Sequence, residues 1–277
     1  MLTQRKAEEA DKKSAHEILC GRACPAILYR LVESMVVSNP VKLSVVLPCH
    51  NEVDNLPETL QKVDAILAEI FSAPEGAAEI VVVDDGSQDG TADMVKQQSG
   101  CAPRRIVTHS DRRGYGAAVR SGLAAASGDR VVYMDADGQY DPQQISLFMS
   151  RMDSGFDVVA GIRVDRGDKL HRRAIGTMYN TAIQIALGLN FQDVDCGFKL
   201  LSRHALNSIE LVFEANLAGP EILLKAQAAG LAISQIPVKH TARVHGEAKG
   251  VDTFTLFKTG VDVVRRGRVL VRAVLRR

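Results

Sequence analysis

A charge surplus of either sign is missing from this chain: the formal net charge is +1 over 277 residues. Bulk electrostatics therefore exclude a strongly polyanion-binding protein and leave room only for a local basic patch. Aromatic residues are scarce, at 5 %. That, with basic residues concentrated in the tail, argues against a nucleic-acid partner. The five cysteines, Cys20, Cys24, Cys49, Cys101 and Cys196, are an odd, scattered set with no C-x-x-C pair. Neither a disulfide framework nor a zinc site follows, and a reduced, cytoplasmic chain is expected. A long apolar run is also missing. The longest uncharged stretch, residues 174–192, contains Asn180, Gln184 and Asn190, too polar for a spanning helix. The N-terminal stretch alternates charges where a secretory signal needs an apolar core, so no signal is expected.

What is present begins with one stretch, Tyr133 to Pro142. Val131–Met134 reads as a short buried strand that runs directly into Asp135-Ala136-Asp137. Two carboxylates at a strand end are costly to bury unpaired. A hard divalent cation such as Mg²⁺ or Mn²⁺, shared with a diphosphate, is the natural partner; a solvated acidic turn is the alternative. Around this stretch the chain alternates strand and helix. Strands are predicted over 43–47, 79–83, 105–108, 131–134 and 156–160. Helices are predicted from Asn55 to about residue 71, from near Asp89, and through about Ala126. Short apolar strands separated by helices predict an α/β fold, a mostly parallel sheet covered on both faces. Ligands of such sheets bind beyond the carboxyl ends of the strands. The polar clusters at 48–52, 84–87 and 135–139 all fall there.

Val46-Leu-Pro-Cys-His-Asn-Glu52, Val82-Val-Asp-Asp-Gly-Ser-Gln-Asp-Gly-Thr91, Arg113-Gly-Tyr-Gly-Ala-Ala118 and Asp135-Ala-Asp-Gly-Gln139 together resemble family 2 glycosyltransferases of GT-A (Rossmann-like) fold. The polyprenyl-phosphate (dolichol-phosphate) mannosyl- and glucosyltransferase branch is the nearest in pattern. The resemblance continues through Gly161-Ile-Arg163, Arg172-Arg173, Asp193-Val-Asp-Cys-Gly-Phe-Lys199 and Ile236-Pro-Val-Lys-His240. It implies a nucleotide-diphosphate sugar donor such as GDP-mannose, UDP-glucose or UDP-N-acetylglucosamine, and a polyprenyl phosphate acceptor. Pro48, Asn51, Glu52 and Asp84 match nucleoside-holding positions, with helix capping as the alternative for Asn51 and Glu52. Gly114 lets its loop approach the donor or starts the next helix. Asp135, Ala136, Asp137 and Gln139 match the donor diphosphate site, and Asp135, Asp137 and Gln139 the metal site. Arg163 is placed near phosphate. Arg172 and Arg173 match the pair that grips the acceptor phosphate, for which a planar guanidinium fork is suited. Gly176 stands where relatives often have serine, which removes one expected phosphate contact.

Asp193 matches the aspartate of D-x-x-C-G-F-K, with Asp195 as a neighbouring competitor. For a hydroxyl acceptor it would be the general base; for a phosphate acceptor no base is needed and it would orient Arg or Lys. Arg243 and Lys249 read either as a loop closing over the diphosphate or as a plain basic linker. Residues 253–277 carry seven basic side chains against one acid, a net +6 interleaved with apolar residues. Such a segment suits an anionic membrane surface; a helix packed on the domain is the alternative. The expected organisation is a helical extension at 1–40, a GT-A domain at 41–250 and a basic amphipathic helix at 251–277. The expected activity is inverting, metal-dependent sugar transfer, cytoplasmic or peripheral on the inner membrane face. Transfer to a soluble or cell-envelope hydroxyl, or a non-catalytic nucleotide-sugar-binding subunit, are the rivals.

Overall fold

Unbroken apolar runs build the centre of the sheet. β1 (Leu43–Cys49) and β2 (Ala78–Asp84) are buried along their whole length. Side chains of a strand alternate between faces, so each run feeds two separate apolar layers. Val45, Leu47, Ile80, Val82, Val132 and Met134 face one layer. Val46, Val81, Val83, Val131 and Tyr133 face the other. On the first layer lies α1 (Leu56–Ile70), with Leu56, Leu60, Val63, Ile66 and Leu67 buried. On the second lies α4 (Tyr115–Ala125), through Ala118, Val119 and Leu123. The computed structural model describes residues 41–164, 177, 180, 181, 183–185, 187–212 and 217–243. The expectations for 1–40 and 251–277, and for Arg172, Arg173 and Lys249, lie outside the described residues.

Among the described residues the other elements are α2 (Pro74–Ala77), α3 (Thr91–Gln97), β3 (Arg104–Thr108), β4 (Arg130–Met134), a short 3-10 helix (Pro142–Gln144), α5 (Ile145–Asp153), β5 (Val158–Val164), β6 (Phe198–Ser202), α6 (Arg203–Ser208), α7 (Ala218–Ala228) and β7 (Ile233–Lys239). The seven strands lie in the order β3-β2-β1-β4-β6-β5-β7. β1 pairs in parallel with both β2 and β4, and β2 with β3. β6 runs antiparallel to β4 and β5, and β7 is parallel to β5. The chain therefore winds outward from β1 to β3, then returns to the other side of β1 as β4. Where winding reverses, the loops after the two strands diverge and leave a crevice. The reversed β6 brings residues 193–197, which precede it, to the same edge.

Two strands, β6 and β7, are additions to the five expected. β6 hides a charge, Lys199, among its apolar residues. β7 holds Pro237, which is tolerated because β7 is an edge strand. β1 runs past Pro48, where the sequence pattern ends it at Leu47. Pro48 lies beyond the last β1–β4 pair, Val46 with Tyr133, so its missing N–H costs that ladder nothing. β5 extends to Val164, so Arg163 stands inside the strand rather than after it. Among the described residues no helix is long and apolar enough to cross a membrane.

Candidate active site

The crevice between the ends of β1 and β4 is a cavity of ≈ 310 Å³. Of the residues singled out from sequence, Pro48, Glu52, Asp135, Ala136, Asp137, Gln139 and Arg243 line it. His50, Asp85, Arg112 and Tyr115 line it as well and were not singled out. Asp135 and Asp137 thus share one hollow, as the D-x-D spacing at a strand end predicts. Burial, followed by the charge of Asp137, pushes the Asp135 carboxyl up to about 7. Burial also raises Asp137; the Gln139 N–H and Arg243 oppose that shift, while Glu52 adds to it. A pair that resists full ionisation in this way is short of positive charge. Hard carboxylate oxygens are the donor set Mg²⁺ and Mn²⁺ take, so the residues fit such an ion. Among the described residues no three His, Cys, Asp or Glu side chains form a self-contained cage. Further ligands would have to come from a bound diphosphate and water.

The second acidic cluster is used differently from expectation. Asp84 is 2 % exposed, accepts the Ser87 N–H at 3.1 Å, and does not line the cavity. The lining residue is Asp85. Its Oδ1 accepts from His109 Nδ1 at 2.7 Å and from the Arg113 N–H at 2.9 Å. Its Oδ2 accepts from the Gly114 N–H at 2.8 Å. Burial alone would raise this carboxyl, but the bonds from His109, Arg113 and Gly114 outweigh it and hold it below the usual range. Asn51 also turns to structure. Its backbone is left-handed, at φ 56°, a conformation asparagine tolerates. Its N–H donates to Ser87 Oγ and its Oδ1 accepts from the Gln88 N–H, both at 2.8 Å. It ties the loop after β1 to the loop after β2. Gly114, at φ 101°, starts α4, and the next residue, Tyr115, donates its hydroxyl to Asp135 Oδ1 at 2.6 Å. Burial, then the neighbouring Asp135, pushes that hydroxyl well above the ordinary tyrosine range, so it stays a donor.

Glu52, also on the cavity lining, accepts from Arg243 Nη2 through both carboxylate oxygens and from Asn55 Nδ2 at 2.9 Å through Oε2, and Arg243 Nη1 stands 4.0 Å from Asp137. The segment that carries Arg243 is held by Gln139. The Gln139 Nε2–H donates to the Thr241 carbonyl at 2.9 Å, and the Thr241 N–H donates to the Gln139 carbonyl at 2.9 Å. Its Nε2 makes Gln139 a tether for the Arg243 segment; Oε1, the atom a hard cation would take, plays no part in that bond.

Arg163 and Asp193 meet beside the cavity without lining it. The Arg163 N–H and Nε–H donate to Asp193 Oδ2 at 3.0 and 2.8 Å, and Nη2–H to Oδ1 at 2.8 Å. Asp193 is 2 % exposed, so both oxygens of the expected base are occupied by one guanidinium. Nearby Lys199, fully buried, donates its ammonium to the carbonyls of Val194 and Cys196, which fixes the loop before β6. The sequence signal for Lys199 was only its place in the motif. Arg163→Ala should strand the Asp193 carboxylate in the interior. The expected loss is about 3–5 kcal/mol of unfolding free energy, measured by urea denaturation; a loss under about 1 kcal/mol would show that the pair is not needed to hold the fold.

Residues 44–210 match the family described as Glycosyl transferase family 2. The undecaprenyl-phosphate 4-deoxy-4-formamido-L-arabinose transferase of Klebsiella pneumoniae subsp. pneumoniae is 33 % identical over 218 residues, 78 % of this chain and 64 % of that one. Its counterpart in Pseudomonas fluorescens is 31 % identical over 209 residues, 75 % of this chain and 59 % of that one. The chain thus spans less than two thirds of the length of these relatives. Among solved structures, mannosyl-3-phosphoglycerate synthase from Rubrobacter xylanophilus superposes with a TM-score of 0.64 at 21 % identity, covering 84 % of this chain and 75 % of that one. Glucosyl-3-phosphoglycerate synthase from Mycobacterium tuberculosis, in complex with Mn²⁺, UDP-glucose and phosphoglyceric acid, gives 0.61 at 20 % identity, covering 83 % and 79 %. The sheet therefore has the GT-A fold. With its D-x-D ledge at the switch point of that fold and the sequence match over its centre, the chain belongs to glycosyl transferase family 2.

Proposed function

We propose that this protein is an inverting glycosyltransferase that moves a sugar from a nucleotide diphosphate to a polyprenyl phosphate. The observation that carries the reading is the half-buried Asp135/Asp137 pair lining one cavity with Glu52 and Arg243. Asp135 and Asp137 would hold Mg²⁺ or Mn²⁺, which as a Lewis acid offsets charge on the departing diphosphate. Arg243, paired with Glu52 in the structure, would turn to the phosphates of a bound donor as a cation, which frees the Glu52 oxygens to accept from the nucleoside. An oxygen of the acceptor phosphate forms the new bond to the anomeric carbon as the bond to the nucleoside diphosphate breaks. One such displacement inverts the configuration.

Two features favour this course. Cys49 lines the cavity, but burial and then the carboxylate of Asp84 push its thiol far above the usual range, so it is a poor candidate for an enzyme nucleophile. Asp193 is held by Arg163, which suits an acceptor that is already anionic and needs no base. The named function of the bacterial relatives points to the same acceptor class. The basic segment at 253–277, outside the described residues, provides a sequence-based means of reaching the inner membrane surface.

The test is nucleoside diphosphate release from GDP-mannose, UDP-glucose, UDP-N-acetylglucosamine and a nucleotide-linked 4-deoxy-4-formamido-L-arabinose. Each is offered with short polyprenyl phosphates, with and without Mn²⁺. Release from one donor that requires both the lipid phosphate and the cation is expected. Release that responds only to a hydroxyl acceptor such as 3-phosphoglycerate would overturn the acceptor assignment.

A further inference from the structure

A chain of hydrogen bonds behind the ledge ends at Asp135 Oδ1. We propose that Tyr115 is a positioning residue for the cation pair, its hydroxyl fixing the Asp135 carboxylate while Asp85 fixes the loop that presents Tyr115. This rests on Asp135 and Asp137 holding a divalent ion. The terminal torsion of an aspartate is broad and soft, and Asp137 repels its neighbour. Nothing intrinsic to Asp135 therefore selects one orientation, and the 2.6 Å bond from Tyr115 to Oδ1 supplies the selection.

Tyr115 is the first residue of α4, so its place depends on how the chain enters that helix. Asp85 governs the entry: it accepts from the His109 ring and from the Arg113 and Gly114 N–H groups. His109 is in turn braced on Ser121 of α4, Nε2 to Oγ, at 2.9 Å. The path runs from the end of β2, through a loop, to a hydroxyl on a ligand carboxylate. Partners of this kind that hold ligands in orientation typically carry a large share of metal affinity.

Tyr115→Phe removes the hydroxyl and keeps the ring. Mn²⁺ uptake by the full chain is followed through the electron paramagnetic resonance signal of free Mn²⁺, with saturating UDP or GDP. The affinity is expected to fall about tenfold or more, while the thermal midpoint in EDTA without nucleotide stays near that of the unaltered chain. An affinity within about twofold overturns the proposal, and so does a lowered midpoint with unchanged affinity, which would leave Tyr115 a packing role alone. Asp85→Asn should weaken Mn²⁺ in the same direction; an unchanged affinity there removes Asp85 from the path. If the unaltered chain takes up no Mn²⁺ with either nucleotide, the cation reading fails and this proposal with it. Uptake that Tyr115→Phe does not alter sinks the proposal only.

Discussion

Asp137→Asn is expected to abolish sugar transfer while leaving the protein as stable as before, or more so. Removing one member of a preorganised charge constellation costs about 10²–10³ in turnover, and here the lost group is one of two oxygen-donor side chains offered to the cation. Stability should move the other way. Asp137 is raised by burial and by Glu52, and its charge in turn raises Asp135. Replacing it with a neutral isostere relieves that repulsion. The pH dependence carries the same signature. In the folded, cation-free protein Asp135 keeps its proton up to about 7, whereas in the unfolded chain an aspartate releases it near about 4. Between those values the folded state binds more protons, so stability declines as pH rises through that window. Asp137→Asn should flatten the decline. Turnover assays and thermal denaturation between pH 4 and 8 measure both effects; turnover within about tenfold of the unaltered enzyme would remove Asp137 from the mechanism.

The other large effect is expected from Gly197→Ala, at a residue with no chemistry of its own. A Cβ built on Gly197 would stand 2.2 Å from Asp135 Oδ2 and 2.6 Å from its Cγ. The nearest atoms belong to the end of a side chain, so the clash is relieved by turning the carboxylate rather than by moving backbone. Gly197 also lacks the positive φ that would itself disfavour alanine. The fold should survive with a thermal midpoint lowered by a few degrees at most. Asp135 cannot keep both its Tyr115 bond and its place beside Asp137, and a misplacement of about 1 Å in a reacting constellation costs about 10²-fold. A fall in kcat/KM of that size is therefore expected. Activity within about fivefold, or an Asp135 unmoved in a crystal structure of the variant, would contradict the close approach.

The central strands, the crevice and the D-x-D pair were legible in the sequence because each has a local cause: an apolar run, a strand end, two acids one residue apart. What escaped depends on partners distant in the chain. Asp84 and Asp85 are chemically the same, and only the position of His109, Arg113 and Gly114 decides that Asp85 reaches the cavity edge while Asp84 turns to Ser87. Asp193 reads equally as a base or as a carboxylate that orients an Arg or Lys until Arg163, thirty residues earlier, is seen on both of its oxygens. β6 escaped because a buried ammonium interrupts its apolar pattern, and the carbonyls that satisfy Lys199 come from a loop no local rule predicts. Tyr115 carried no signal beyond its place between two glycines.

Pro237 has a bearing on association. It lies in β7, which among the described residues pairs in the sheet only with β5, and it contributes no N–H to the outer rim. Lys239 closes the same strand with an exposed charge. At the far rim β3 offers the exposed Arg105. Interrupted donors and charged margins are the features that keep β-sheets from growing by strand addition. Copies of this chain crowded together on a surface would thus gain little by zipping sheet to sheet.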